Sequence, residues 1–167
     1  ASHATTEAMR KLNELPCPTL AVVKGACFGG GVGIVCCVDV ALAAPDALFG
    51  ITEIRVGVAP TPISTHMVNA IGLRHTRRYA LTGERFGAHE ARRLGLVHEV
   101  CPAGSLAEAG EKIVESVLMN APRATTATKL RSLASARAFV DDGELRDLID
   151  EHARTRQQDE ATEGLAS

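Results

Sequence analysis

This sequence predicts an α/β layered fold ending in an all-helical region, on three observations. The apolar segment Thr19–Val23 breaks directly into a glycine-rich run, Lys24–Gly33, and then into the short apolar stretch Val32–Val38. A second apolar segment, Asp39–Ala44, follows almost at once, and strand, helix, strand at that spacing belongs to α/β layers. From Ser105 onward the pattern is almost wholly helical.

The elements follow in order. Thr5–Leu15 reads as an amphipathic helix with Ala8, Leu12 and Leu15 on one stripe. Pro16 and Pro18 stop it and introduce the buried strand Thr19–Val23. Val32–Val38, small-residue rich and apolar, is predicted as a buried helix, and Asp39–Ala44 as a strand. Pro45-Asp46 then turns the chain into Ala47-Leu48-Phe49-Gly50. After the break at Pro60 and Pro62, Ser64 or Thr65 can cap a helix through Ile71. A further helix covers Arg74–Leu81 and ends at Thr82-Gly83. Ala88–Leu94 is a short helix stopped by Gly95, and Leu96–Val100 a small strand. The tail reads as helices over Leu106–Met119, Arg123–Val140 and Glu144–Gln158, and the domain boundary is placed between residues 102 and 103.

Composition narrows the class of function. At 167 residues the chain is one ordinary domain or a large piece of one, and 46% hydrophobic residues are ample for a core. A net charge of -2 with 3% aromatics offers neither a basic surface nor a stacking platform, which argues against a nucleic-acid partner. The apolar run Val32–Ala44 is cut by Asp39 and is too short to span a bilayer, so no membrane association is expected. Cys17, Cys27, Cys36, Cys37 and Cys101 are odd in number and form no C-x-x-C, as expected of reduced, structural thiols in a cytoplasmic protein. A sharper alternative makes Cys27, beside the glycines, a nucleophile, but no histidine neighbours it in sequence.

Two features carry chemistry. A strand that breaks into Gly29-Gly30-Gly31 and then into a helix leaves backbone N–H groups without intrahelical partners, a start suited to an oxyanion. One such donor is worth roughly 2.7–4 kcal/mol of transition-state stabilisation. The run matches neither G-x-x-x-x-G-K-[ST] nor G-x-G-x-x-G, so nucleotide phosphates are a poor fit, while plain helix–strand packing remains an alternative. The second feature is Glu53, flanked by apolar Ile51 and Ile54, a setting that suits a general acid or base. An exposed loop acid or a pair with Arg55 is the competing reading.

The glycine run, Asp39, Phe49-Gly50-x-x-Glu53, Gly57 with Pro60, Leu81-Thr82-Gly83-Glu84-Arg85-Phe86 and Ala91-x-x-x-Gly95-Leu96-Val97 occur in one order along nearly the whole chain. Together they resemble the crotonase, or enoyl-CoA hydratase/isomerase, superfamily. The resemblance implies a spiral of ββα units, here the C-terminal part of that core (residues 1–102), followed by a helical oligomerisation region (103–167) that builds a trimer or dimer of trimers. It implies an acyl-CoA substrate whose thioester oxygen sits between two N–H groups, one of them from Gly30. Glu53 becomes the acid/base, and Ala26, Phe28, Gly29, Pro60 and Thr61 line the substrate. It implies no metal and no cofactor beyond the coenzyme A of the substrate.

The sequence also departs from the pattern. Typical hydratases of this family use two glutamates, and the first falls at Gly33, which offers neither proton nor charge. Δ3-Δ2 enoyl-CoA isomerases can work with one glutamate. Bacterial hydratases of the methylglutaconyl-CoA and isohexenylglutaconyl-CoA type resemble this chain in the bulky stretch Pro60-Thr61-Pro62-Ile63-Ser64, where typical hydratases read Pro-Gly-x-Gly-Gly. The favoured expectation is therefore hydration of a branched or carboxylated 2-enoyl-CoA. A single-glutamate isomerase and a non-catalytic acyl-CoA binder are the alternatives. His66, Arg74, His75 and Arg77 are candidates to meet a carboxylate on the acyl chain, although surface salt-bridging is the favoured role for each arginine and a capping or core role for His66. Leu145, Leu148 and Ile149, with Arg146, Arg154 and Arg156, are the candidate oligomer stripe. Family members supply the second oxyanion N–H ahead of anything matching Ala1, so the chain is expected to be a fragment, inactive alone.

Overall fold

The computed structural model describes residues 2–136. The chain divides into two compact units, Ala1–Leu15 with Thr19–Val114, and Pro16–Pro18 with Glu115–Ser167. Helix α1 (Ser2–Asn13) precedes strands β1 (Leu20–Val23) and β2 (Ala26–Phe28), and helix α2 (Gly30–Cys37) follows. Next come β3 (Val40–Ala43) and β4 (Leu48–Gly50), two 3-10 turns at Glu53–Val56 and Thr61–Ile63, and helix α3 (Ser64–Thr82). Strand β5 (Arg85–Gly87), helix α4 (Ala88–Leu94), strand β6 (Glu99–Val100) and helices α5 (Leu106–Leu118) and α6 (Pro122–Ser135) complete the described chain.

The strands sort into two three-stranded sheets, β1-β3-β6 and β2-β4-β5. The first is parallel throughout, with Leu20 opposite Val40 and Leu42 opposite Glu99. In the second, β2 and β4 run parallel and β5 pairs antiparallel, setting Gly50 between Phe28 and Arg85. Twice the chain leaves the first sheet, enters the second and then turns helical, as β1-β2-α2 and as β3-β4 followed by α3. That is the repeating ββα unit the sequence led us to expect. The first crossing is made at Gly25, whose φ of 62° favours glycine.

Asp39 has a structural role here. Its Oδ2 accepts from the Thr19 N–H at 2.7 Å and the Thr19 hydroxyl at 2.8 Å, tying the entry of β3 to the entry of β1. The largest fully buried side chains include Phe49, Leu42, Ile51, Met67 and Leu106. Phe49 stacks on Phe86 at 5.7 Å between ring centroids, and Tyr79 tilts against Phe86 at 4.3 Å. Where α5 crosses β1, Gly110 faces Leu20 and Val22, and a methyl there would meet them at ordinary van der Waals distance.

Several expectations are refined. The predicted helices on either side of Gly72 form one element interrupted at that residue (φ 77°, ψ 161°). Strands β2 and β5 and both 3-10 turns are not predicted by the sequence, because three-residue strands show too little alternation to register. Of the predicted tail, α5 and α6 are seen. In the second unit the Lys129 ammonium, nearly buried, donates to the Cys17 carbonyl at 3.0 Å. Residues 137–167, which hold the predicted Glu144–Gln158 helix and the Leu145, Leu148, Ile149 stripe with its arginines, lie outside the described residues. Among the described residues no helix is long and apolar enough to cross a membrane.

Candidate active site

The centre of the candidate site is the junction of β2 and α2. Gly29 caps α2 with φ 53° and ψ -118°, a conformation that side-chain-bearing residues rarely adopt. Its N–H donates to the Gly50 carbonyl at 2.9 Å, which fixes the end of β2 against the end of β4. Gly30, the first residue of α2, is exposed, with open space where a side chain would stand. As a first-turn residue its N–H has no intrahelical acceptor, and the dipole of α2 adds partial positive charge there.

Glu53 meets this junction. It begins the first 3-10 turn, directly after β4 and the Ile51-Thr52 link, and is half-buried. A methyl group placed on Gly29 would lie 3.0 Å from Glu53 Oε1 and 3.4 Å from Oε2, so the carboxyl rests against the bare Cα of Gly29. Glu53 Oε2 is buried and has no hydrogen-bond partner. The alternative pairing with Arg55 is not formed. Arg55 turns away and donates Nε and Nη2 to the Gly83 carbonyl at 3.2 and 2.8 Å, clamping the end of α3. A carboxylate oxygen held without a donor is costly unless something else comes to meet it.

Other predicted residues are distributed around this core. Phe28 precedes Gly29, and the Arg85 guanidinium lies over its ring at 4.9 Å. Ala26 is exposed two residues back on β2. Pro60 and Thr61 open the second 3-10 turn, whose last residue, Ile63, is 2% exposed. The four candidates for an acyl carboxylate all lie on α3. Arg74 and Arg77 join Arg78, Leu81 and Thr82 around an open groove of about 440 Å³ that neither Glu53, Gly29 nor Gly30 lines. His75 and His66 are half-buried on α3. Cys27 is unsuited as a nucleophile, because it is buried and burial pushes its thiol up to about 11. All five cysteines are free, as expected.

The packing of Ile63 is not legible in the sequence. Gly33 is buried, and a Cβ built on it would overlap Ile63 Cγ2, lie 3.0 Å from Ile63 Cβ and 3.3 Å from Met9 Cε. The space beside Gly33 is therefore filled by apolar side chains from the second 3-10 turn and from α1. The signal was present in the bulky Pro60–Ser64 stretch, but nothing in the sequence says where Ile63 points.

Known proteins agree with this architecture. Hydroxycinnamoyl-CoA hydratase-lyase of Pseudomonas fluorescens is 36% identical over 113 residues, covering 67% of this chain and 41% of that protein. The mitochondrial Delta(3,5)-Delta(2,4)-dienoyl-CoA isomerase of Dictyostelium discoideum is 33% identical over 135 residues, or 80% of this chain and 46% of that protein. The solved structure of Pseudomonas aeruginosa AtuE superposes with a TM-score of 0.93 at 38% identity, covering 98% of this chain and 64% of AtuE. The chain thus spans about half the length of the curated relatives it matches. The sequence profile of the enoyl-CoA hydratase/isomerase family matches residues 1–167, and with the repeated ββα units in place the chain belongs to that family.

Proposed function

We propose that this chain carries the acid/base half of an enoyl-CoA hydratase site that works through one carboxylate, Glu53. The observation behind this reading is Glu53 Oε2, buried without a hydrogen-bond partner, while the carboxyl rests against Gly29 at the head of α2. In the proposed reaction Glu53 takes a proton from water as the water oxygen bonds to C3 of a conjugated enoyl thioester. The C2–C3 electron pair moves toward the thioester carbonyl, and the resulting enolate oxygen accepts a hydrogen bond from Gly30 N–H. The enolate then collapses, C2 takes the proton back from Glu53, and the carboxylate is restored with one water added.

The acyl chain is proposed to be branched or to carry a second carboxylate, on the strength of the Pro60–Ser64 resemblance. Phe28, Gly29, Ala26, Pro60 and Thr61 are proposed to flank it. A homotrimer or dimer of trimers in the cytoplasm, needing no cofactor beyond substrate coenzyme A, completes the proposal. The second reading, an isomerase, is favoured by the apolar filling at Gly33. There Glu53 removes a proton from C2 of a 3-enoyl thioester and returns it to C4 as the double bond moves into conjugation.

The test is product analysis on the full-length protein with 2-enoyl-CoA and 3-enoyl-CoA substrates. Hydration of the conjugated substrate supports the first reading. Conversion of 3-enoyl-CoA to the conjugated form, with 2-enoyl-CoA untouched, replaces it with the second. In either case Glu53→Gln should lower kcat by about 10²–10⁴-fold. Full turnover in that variant overturns the assignment of Glu53, and tight CoA binding with no turnover on any substrate points to a binding protein instead.

A further inference from the structure

Gly29 and Gly33 lie one hydrogen-bonded turn apart, one capping α2 and one inside it, since the Gly33 N–H donates to the Gly29 carbonyl at 3.2 Å. Glu53 rests against the first and Ile63 against the second. An acid at position 33 is therefore excluded by packing as well as absent from the sequence. The conflict is with Ile63 Cγ2 and Cβ, atoms next to the backbone of a β-branched residue, which cannot swing aside as the end of a long side chain can. Met9 Cε closes the remaining side, and both Ile63 (2% exposed) and Met9 (6%) are buried.

We propose that Ile63 is a specificity-determining residue, filling the volume a second acid at position 33 would need and so confining proton transfer to Glu53. Gly33 and Ile63 form a matched pair, in which a side chain is tolerated at one only when the other is cut back. The proposal rests on the reading of Glu53 as the acid/base, but its packing half stands on geometry alone. It implies that the site takes substrates whose reaction needs one proton relay, with water or a transferred proton handled on the Glu53 side.

The experiment is a double-mutant cycle on the full-length protein, read first by thermal unfolding. Gly33→Ala in the parent should lower Tm by roughly 3–10 °C through overpacking. The same change in an Ile63→Ala background should lower Tm by clearly less, because the overlap with Ile63 Cγ2 is gone while the Cβ at 63 and Met9 Cε still crowd the position at 3.0 and 3.3 Å. Equal losses of Tm in both backgrounds overturn the matched pair. The second readout is the pH–rate profile on 2-enoyl-CoA. Gly33→Glu combined with Ile63→Ala should add a second carboxylate-range ionisation that neither the parent nor Ile63→Ala shows. A folded, active double variant with the parent profile overturns the specificity role. If Glu53→Gln keeps full activity while the Tm cycle behaves as stated, the functional reading fails and the packing pair survives.

Discussion

Two glycines four residues apart, one capping α2 and one inside it, have opposite surroundings. Gly29 stands where φ is 53° and its missing side chain makes room for a carboxyl group. Gly33 sits in ordinary helix, and its missing side chain makes room for the methyl groups of Ile63 and Met9. The first absence brings a carboxyl group to the head of the helix; the second fills the next turn with hydrocarbon. Glycine at both positions is a response to what another segment delivers, and the two delivering segments are the two 3-10 turns between β4 and α3.

The strongest way to break this comparison is Gly29→Ala. It imposes a disfavoured backbone, worth about 1–3 kcal/mol of strain, and pushes a methyl to 3.0 Å from Glu53 Oε1. We expect a loss of stability of that order and a fall in kcat of up to about 10²-fold, since the carboxyl must move. Denaturant unfolding and steady-state kinetics check it, and unchanged kcat would mean the carboxyl is not held by Gly29. A smaller effect is expected away from both glycines. Asp39→Ala removes two hydrogen bonds to Thr19 and strands its N–H, costing about 1–3 kcal/mol with little change in the pH profile of catalysis.

The smallest effect concerns Glu90, which serves as a contrast to Glu53. Glu90 accepts from Arg93 at 2.6 and 2.7 Å and from the Tyr79 hydroxyl at 2.7 Å. The Arg93 hydrogen bonds, then that of Tyr79, hold its carboxyl down to about 2. A carboxyl depressed on folding contributes its stability above the usual value near 4.5 and loses it as pH falls toward about 2. Because the group is only partly buried and its Arg93 partner is exposed, solvent screening keeps the contribution minor. Glu90→Gln should therefore lower Tm slightly at neutral pH and flatten its acid limb between those values, with parent and variant converging near pH 2.

Much of the fold was legible because it rests on local signals. The strand before the glycines, the helix after them, the stop at Gly83 and Gly95, and the Glu53 segment each announce themselves within a few residues. Strands β2 and β5 did not, being three residues long and defined by their partners in the second sheet. Likewise the possible Glu53–Arg55 pair looked plausible from adjacency, yet Arg55 is drawn to the Gly83 carbonyl, a partner 28 residues away.

The sequence by itself determined an α/β chain with a glycine-headed helix, one apolar-flanked acid and glycine at position 33, and its motif order carried the resemblance that implied ββα units. Those are properties of residue type and order. Only the tertiary structure decided that the acid reaches the helix head, leaving an oxygen without a donor, and that Ile63 closes over Gly33. Both are contacts between segments more than twenty residues apart, set by how two sheets and three helices pack. No local propensity encodes which of two side chains fills a given space, because close packing is settled by all its neighbours together.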